Sequence, residues 1–377
     1  MPGKILVSGL FVHPGKVGGA ENYLYNLLKG FDQLGAAGDI DLLLNAGYSD
    51  YNPVVQRFNP IPVRLMGNRA FYDYLLPRVV TQYPAYESVL LPNYVTPLGL
   101  FASGRQPRCV TTIHDLLYLH FPRFFSMGKR LWQNTANLHT LNRADKVVCI
   151  SDFVRHDILE RFGEKYKNKL QTIHNPIDFD RFGEVAGAEK PYPHDYILSV
   201  SAMYPHKNTL TLLKAFREYK KKTDNGVKLV LAGQLPKHLL GSDFGEYHKE
   251  LSHVLAHTPD IIVTGYIPNR QLDILYRHCL FFVYPSLFEG FGMPVVEALG
   301  CGKPAITTKC ASLYEVSMGK AVYVENPASE HELAEKIAYC YDNLPGLTRE
   351  AARLTPILRE KYSVQNIAGQ YYRALMG

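Results

Sequence analysis

The stretch Pro285-Ser-Leu-Phe-Glu289-Gly290-Phe291-Gly292-Met-Pro294-Val-Val-Glu297 sets two carboxylates around a Gly-Phe-Gly turn. It follows an apolar, strand-length run and leads into a helix, with Pro294 as a favoured first-turn residue. The free amides of such a turn and the helix dipole together make a site for an anion. Glu289 then stands on the loop and Glu297 one turn inside the helix, so that two carboxylates flank the anion site without being adjacent. Carboxylates accept hydrogen bonds, which suits hydroxyl donors such as a sugar ring. Taken singly, each glutamate has a plainer reading. Glu289 caps the turn, Glu297 is solvated, and the glycines serve close strand-to-helix packing.

Three other places carry residues suited to the same chemistry. Lys207 sits after one apolar strand and before a helix starting near Asn208, where a cation can neutralise charge developing on a leaving phosphate. It equally suits a solvated helix start. Gly18 and Gly19 end the first strand-to-helix loop and let backbone amides approach a phosphate closely, or simply form a turn. His114 ends the run from Cys109, at the carboxyl end of a strand, where open parallel sheets place functional side chains. Asp115 beside it orients His114, contacts an acceptor or caps a helix.

Parallel sheets with crossover helices must position these groups, because short apolar runs alternate with helical patterns along the whole chain. Strands are predicted at 4–10, 41–44, 88–91, 109–114 and 146–150, then at 196–200, 228–232, 261–264, 280–284 and 304–307. Leu24, Leu27, Leu28 and Phe31 line one face of a helix opened by Gly19-Ala20-Glu21. Ser151 is suited to cap the helix after Ile150. The apolar pattern stops between Phe182 and Pro193, where Gly183, Gly187, Pro191 and Pro193 mark a linker. The expected organisation is therefore α/β, with two doubly wound domains at 1–185 and 186–362. A ligand is expected in the cleft between them, at the carboxyl ends of the strands.

Composition narrows the function. The chain has 377 residues, 46% of them hydrophobic and 20% charged, enough to bury a core in each half. A net charge of +6 is far below that of a protein that neutralises many phosphates, so nucleic acid is not an expected partner. Six dispersed cysteines with no C-x-x-C pair read as buried thiols in a reducing compartment. No run approaches the length of a membrane span. No Asp-x-Asp follows a predicted strand and no His/Cys cluster occurs, so no metal and no other cofactor is expected.

The motif Phe288-Glu289-Gly-Phe-Gly-Met-Pro-Val-Val-Glu297-Ala-Leu-Gly-Cys-Gly-Lys-Pro resembles the signature of retaining glycosyltransferases of family 4, which have the GT-B fold of two Rossmann-like domains. The likeness runs over nearly the whole chain. Gly18-Gly19-Ala20-Glu21 is similar to the family's glycine loop, Thr112-Ile-His114-Asp115-Leu to its histidine segment, and His174-Asn175-Pro-Ile-Asp178 to its interdomain asparagine motif. Ser199 to Asn208 resembles its basic diphosphate segment, while Gly265-Tyr-Ile267-Pro and Leu313-Tyr-Glu315-Val match later landmarks. The sequence departs from the family at Ala202, where many relatives carry arginine, and at His206, where arginine is frequent. Either His206 supplies a second donor, or the loop amides and helix dipole carry more of the diphosphate charge.

The resemblance implies transfer of a hexosyl group from a nucleotide diphosphate sugar to an acceptor hydroxyl, with retention and without a bound metal. His114, Lys207 and Glu289 are the implied catalytic residues. The implied donor-binding set comprises Gly18, Gly19, His206, Lys207, Ile267, Glu289, Gly290, Phe291, Gly292 and Glu297, with Glu297 on the ribose; Asp115 is the acceptor candidate. A C-terminal helix at about 363–377 is expected to pack back on the first domain. The mannosyltransferase-like branch fits best, favouring GDP-mannose over a UDP-hexose. Rival readings are a sugar-nucleotide epimerase and a non-catalytic saccharide-binding protein.

Residues 105–146 carry Arg105, Arg108, Arg123, Lys129, Arg130, Arg143 and Lys146 against Asp115 and Asp145, interleaved with Phe121, Phe124, Phe125, Leu131 and Trp132. That pattern suits either an anionic membrane surface with a lipid-linked acceptor, or a basic helix whose aromatics pack inward. The first alternative leads to a cytoplasmic protein, peripheral on the inner face of the cell membrane, acting in surface polysaccharide assembly.

Overall fold

A computed structural model describes residues 4–14, 19–63, 86–93, 107–223, 225–234 and 243–377. Gly18 and Arg105 lie outside the described residues. The chain divides into two compact units. The first contains residues up to Leu116, Met127–Asp178 and Lys361–Gly377, and the second Leu117–Ser126 and Phe179–Glu360.

The sheet of the first unit contains β1 (Lys4–Ser8), β2 (Ile40–Asn45), β3 (Asn59–Val63), β4 (Tyr86–Leu91), β5 (Arg108–Ile113), β6 (Lys146–Cys149) and β7 (Leu170–Thr172). Its order is β3-β2-β1-β4-β5-β6-β7, with every pair parallel. The second unit has β8 (Tyr196–Val200), β9 (Lys228–Ala232), β10 (Ile261–Gly265), β11 (Phe282–Tyr284), β12 (Ala305–Thr308) and β13 (Val322–Val324). These are also all parallel, in the order β10-β9-β8-β11-β12-β13. Both sheets are thus doubly wound, and the strand order reverses beside β1 in one and beside β8 in the other. At such reversals the loops leaving the strand ends diverge and leave room for a ligand.

The expected α/β class and the interior strands are present, because strands covered on both faces read as continuous apolar runs. Three strands absent from the sequence reading, β3, β7 and β13, are edge strands. The linker expected at 182–193 needs correction. Phe182 and Val185 are buried, 3% and 2% exposed. The Phe182 ring also meets the Tyr276 ring edge-on at 5.9 Å. These contacts hold the start of the segment in the second unit, which begins at Phe179 rather than near 186.

Helix Val364–Met376 packs on helix Gly19–Gln33 in the first unit. The approach is close at Gly30, where an added Cβ would lie 2.2 Å from the Val364 carbonyl oxygen and 2.6 Å from the Ala368 Cβ. Only hydrogen fits there. Ser151 caps helix Asp152–Phe162, its side chain accepting from the Val154 amide at 3.1 Å. All six cysteines are free thiols. Burial pushes Cys109, Cys279 and Cys340 up to about 12, so they stay protonated near neutral pH.

Candidate functional site

The second unit assembles its polar groups at the carboxyl ends of β8 and β11, the neighbouring strands at the reversal of strand order. After β8 the chain makes a tight turn, Pro205–Lys207, and Asn208 takes a left-handed conformation with φ of 59° before helix Thr209–Lys222. Asparagine tolerates this backbone and its side chain secures it. The Asn208 Nδ2 donates to the Pro327 carbonyl at 2.7 Å, and the Thr211 hydroxyl donates to Asn208 Oδ1 at 2.7 Å. Lys207 is thereby fixed at the strand end.

Glu289 comes to it on the loop after β11. The Lys207 Nζ lies 2.7 Å from Glu289 Oε1 and 3.1 Å from the Tyr284 hydroxyl. Tyr284 in turn donates to Oε1 at 2.7 Å, and the Ser286 hydroxyl reaches the same oxygen at 2.7 Å. Three donors therefore converge on Oε1, while among the described residues Oε2 accepts nothing. Burial alone would raise the Glu289 carboxyl, but the Lys207 ammonium and its hydrogen bond outweigh burial and hold it below the usual carboxylate range. Burial and the neighbouring Glu289 charge push the Tyr284 phenol well up, so it remains a donor. The result is a fixed carboxylate with one oxygen saturated and one available, beside a cation.

The turn that carries Glu289 is held from the other side. The Ser312 hydroxyl is 2.9 Å from the carbonyl oxygens of both Glu289 and Phe291. Gly292 has φ of 88°, and a Cβ there would lie 2.7 Å from Leu313 Cδ2. The left-handed turn therefore requires glycine. It leads into helix Met293–Gly300, as the glycine and proline pattern predicts. Gly290 and Phe291 complete the same turn.

Glu297 corrects the solvated alternative, since its carboxylate is buried rather than facing solvent. It is 5% exposed on a helix buried all round. Its Oε1 receives Arg181 Nη2 at 2.7 Å and its Oε2 receives the Tyr276 hydroxyl at 2.9 Å. Arg181 Nε also lies 3.0 Å from Asp273 Oδ1. Both oxygens of Glu297 thus have protein partners, although each carboxylate oxygen can accept a second bond. Arg181, Asp273 and Tyr276 had no signal in the sequence beyond their types, because the contacts join separate elements, Arg181 and Glu297 lying 116 positions apart and Tyr276 and Glu297 21.

His206 is also corrected in part. Burial, reinforced by the Lys207 charge and opposed by Glu289, lowers it to about 4. It is neutral at pH 7 and does not replace the charge of the arginine absent at Ala202. Its ring is 8% exposed, with Nδ1 buried and without a hydrogen-bond partner among the described residues. Tyr204 stacks on it at 5.9 Å, and the rings of Phe121 and Phe124 stand 6.0 and 6.3 Å away. Ile267, half-buried on the loop after β10, lies at the same carboxyl ends but two strands from β8.

The first unit places His114 directly after β5. Its Nε2 is 2.8 Å from the Pro92 carbonyl oxygen, at the end of β4. Burial lowers its pKa against the opposing pull of that carbonyl and of Asp115, so the ring is neutral at pH 7. A carbonyl only accepts, hence Nε2 carries the proton and Nδ1 presents a lone pair. The Tyr23 ring meets His114 edge-on at 4.9 Å. The Tyr23 hydroxyl donates to the Tyr371 hydroxyl at 2.7 Å, and Thr112 Oγ1 is 3.1 Å from each. Gly19 opens its helix, and among the described residues no atom lies within 4 Å of an added Cβ there. Asp115 follows His114, partly exposed.

Among the described residues no group of three His, Cys, Asp or Glu side chains is arranged to hold a metal ion. The two Asp-x-Asp pairs, Asp39-Ile-Asp41 and Asp178-Phe-Asp180, have members engaged elsewhere: Tyr86 donates to Asp41 at 2.6 Å and Lys29 to Asp178 at 2.7 Å.

Residues 17–181 match the profile described as Glycosyltransferase Family 4, and residues 184–353 the profile described as Glycosyl transferases group 1. The O-antigen chain mannosyltransferase B of Escherichia coli is 27% identical over 247 residues, a match that spans 63% of this chain and 60% of that protein. Sucrose-phosphate synthase from Thermosynechococcus elongatus shares the fold at a TM-score of 0.77 with 19% identity, over 99% of both chains. Anabaena HepE, solved in complex with UDP-glucose, does so at 0.73 with 20% identity, also over 99% of both. Two parallel doubly wound units, the ordered motifs and both profile matches lead to one assignment: the chain belongs to the family 4 glycosyltransferases, with the GT-B fold.

Proposed function

We propose that this protein is a retaining hexosyltransferase that moves mannose from GDP-mannose to a hydroxyl of a saccharide or lipid-linked saccharide acceptor in surface polysaccharide assembly. The observation that carries the reading is the Glu289 carboxylate, locked through Oε1 by Lys207, Tyr284 and Ser286 with Oε2 available. A sugar hydroxyl donates to Oε2, while Lys207 offsets the charge that builds on the leaving diphosphate. The bond from the anomeric carbon to the phosphate oxygen breaks as the acceptor oxygen attacks from the same face. The acceptor proton passes to the departing phosphate. Glu289 positions and stabilises, and does not attack. His114, neutral with Nδ1 as acceptor, takes a hydrogen bond from another sugar hydroxyl. Glu297 reaches the ribose through its remaining acceptor capacity, and no divalent metal takes part.

The mannose donor is supported by the name of the O-antigen chain mannosyltransferase B relative, and the acceptor by the same relationship. The protein acts in the cytoplasm, against the inner face of the membrane. Among the described residues no helix is long and apolar enough to cross a membrane. The test is acceptor-dependent release of nucleoside diphosphate from GDP-mannose and from UDP-hexoses, with and without excess chelator. Turnover of GDP-mannose that persists in chelator is expected. Turnover with a UDP-hexose alone overturns the donor, and loss in chelator restored by magnesium or manganese overturns the metal-free reading. Hydrolysis without any acceptor overturns the transferase.

A further inference from the structure

Three separate elements of the second unit bring Arg181, Asp273, Tyr276 and Glu297 into one buried group. Arg181 starts helix Arg181–Glu184, Asp273 and Tyr276 lie on helix Asn269–His278, and Glu297 lies on helix Met293–Gly300. The side chains of Arg181, Asp273 and Glu297 are 12%, 4% and 6% exposed. One guanidinium serves both carboxylates through different nitrogens, Nη2 toward Glu297 Oε1 at 2.7 Å and Nε toward Asp273 Oδ1 at 3.0 Å. Burial acts against the Arg181 cation, but Glu297 and Asp273 outweigh it and keep the guanidinium charged. Packing seats the same segment independently of charge. The Phe179 ring lies so close to Gly300 that an added Cβ there would overlap it, and Arg359 Nε donates to the Gly300 carbonyl at 3.0 Å.

We infer that Arg181 is the positioning residue through which the second unit selects ribonucleotide sugars over 2′-deoxyribonucleotide sugars. The inference rests on the reading above that Glu297 takes the ribose. A ribose offers two vicinal hydroxyls and a 2′-deoxyribose only one. Each Glu297 oxygen already accepts one protein bond, from Arg181 on Oε1 and from Tyr276 on Oε2, and keeps one further acceptor position. The carboxylate therefore receives one hydroxyl on each oxygen, provided that its plane is held. The last torsion of a glutamate is broad when left to itself. Arg181 and Tyr276 fix it from the two ends of the carboxylate, and Asp273 fixes Arg181. A carboxylate free to turn would still meet one hydroxyl, so the second hydroxyl is what the held orientation reads. Lysine at position 181 would keep the charge but bring a single nitrogen, which cannot span Glu297 and Asp273 as the planar fork does.

The test is calorimetry of the full-length protein with GDP and with 2′-deoxy-GDP. The parent should bind GDP on the order of tenfold more tightly, the effect of one hydrogen bond to a charged group. In Arg181→Lys the GDP affinity should fall toward that of 2′-deoxy-GDP, whose own affinity changes less than about twofold, so that the ratio collapses. Tyr276→Phe keeps the ring and removes one of the two holds, and should lower the ratio by a smaller factor. Equal weakening of both nucleotides by Arg181→Lys, with the ratio kept, means a structural role alone and overturns the inference. If Arg181→Lys does not fold by circular dichroism, Tyr276→Phe decides, and an unchanged ratio there overturns it. A parent that binds both nucleotides equally shows that Glu297 does not take the ribose, so that reading fails and the inference with it. UDP and 2′-deoxy-UDP are measured in parallel, because the ribose is common to both bases and a wrong donor base is thereby read separately.

Discussion

The second unit arms its strand ends with ions, and the first with neutral groups. Lys207 and Glu289 pair at 2.7 Å in a partly dehydrated turn, where Tyr284 and Ser286 fix the carboxylate and burial strengthens the field. His114 instead rests on a carbonyl and an aromatic edge, uncharged, above a chain of three hydroxyls. The difference matches the two halves of the proposed glycosyl transfer. Charge develops on a leaving diphosphate and must be met by a fixed cation, whereas hydroxyls of a sugar need only directional acceptors. A charged residue in place of His114 would carry a desolvation cost, which at His114 itself outweighs the pull of Asp115.

The largest effect expected from this contrast is at Glu289. Glu289→Gln keeps the size and loses the charge, and should lower kcat on the order of a hundredfold, about 3 kcal/mol, in a protein that remains folded by circular dichroism. His114→Ala should cost less; if it costs more, the ionic unit does not dominate the chemistry and the contrast fails. Next is Lys207→Ala, with a loss of about 2 kcal/mol in kcat/KM and weaker binding of nucleoside diphosphate by calorimetry. Without Lys207 the balance of causes at Glu289 reverses toward burial, so the acid limb of the pH–rate profile should move to higher pH. Unchanged diphosphate affinity would reduce Lys207 to a structural partner of Glu289.

His206 sharpens the comparison through pH. Its folded pKa of about 4 lies below the ordinary 6.5, so the unfolded chain binds the extra proton first as pH falls. The stability from keeping this ring neutral is complete above pH 6.5 and declines toward pH 4, by about 1.4 kcal/mol per unit. Thermal melts of His206→Phe should therefore depend less on pH across that window than those of the parent. An identical slope would mean that the ring is not held neutral by its surroundings. The smallest effect is at the hydroxyl chain of the first unit. Tyr371→Phe removes the partner of Tyr23 and should cost about 1 kcal/mol in urea unfolding. Little change in kcat is expected, because His114 keeps its Pro92 contact.

What could be read from the chain followed local chemistry. Glu289, Lys207 and His114 stand where the apolar runs end, and all three occupy strand ends in the structure. Interior strands were legible because both faces are covered. The missed strands are edges with little to bury: Asn59-Pro-Ile-Pro-Val has alternate prolines, and Leu170–Thr172 and Val322–Val324 are three residues each. The prolines of β3 put their missing donors on one side of the strand, which only an edge allows. Illegible in a different way were Tyr284 and Ser286 as the groups that saturate one Glu289 oxygen, and Arg181 and Tyr276 as partners of Glu297. These depend on how the loops close in three dimensions. The register of β11 beside β8, which brings Tyr284 and Lys207 together, has no signature in either strand alone.

The Tyr23–Tyr371 contact joins residues 348 positions apart. In the order of synthesis, helix Val364–Met376 leaves the ribosome after nearly all of the second unit, whose main segment is Phe179–Glu360. The first unit can form its sheet early, but Tyr23, Leu27 and Gly30 wait for the surface that covers them. A nascent chain therefore exposes an apolar groove on helix Gly19–Gln33 through most of translation, a natural holding site for a chaperone. The second unit, more nearly contiguous, is free to finish first. Completion of the first unit is thus a late docking event, and a ribosome stalled before Val364 would leave the groove open however well the rest had folded.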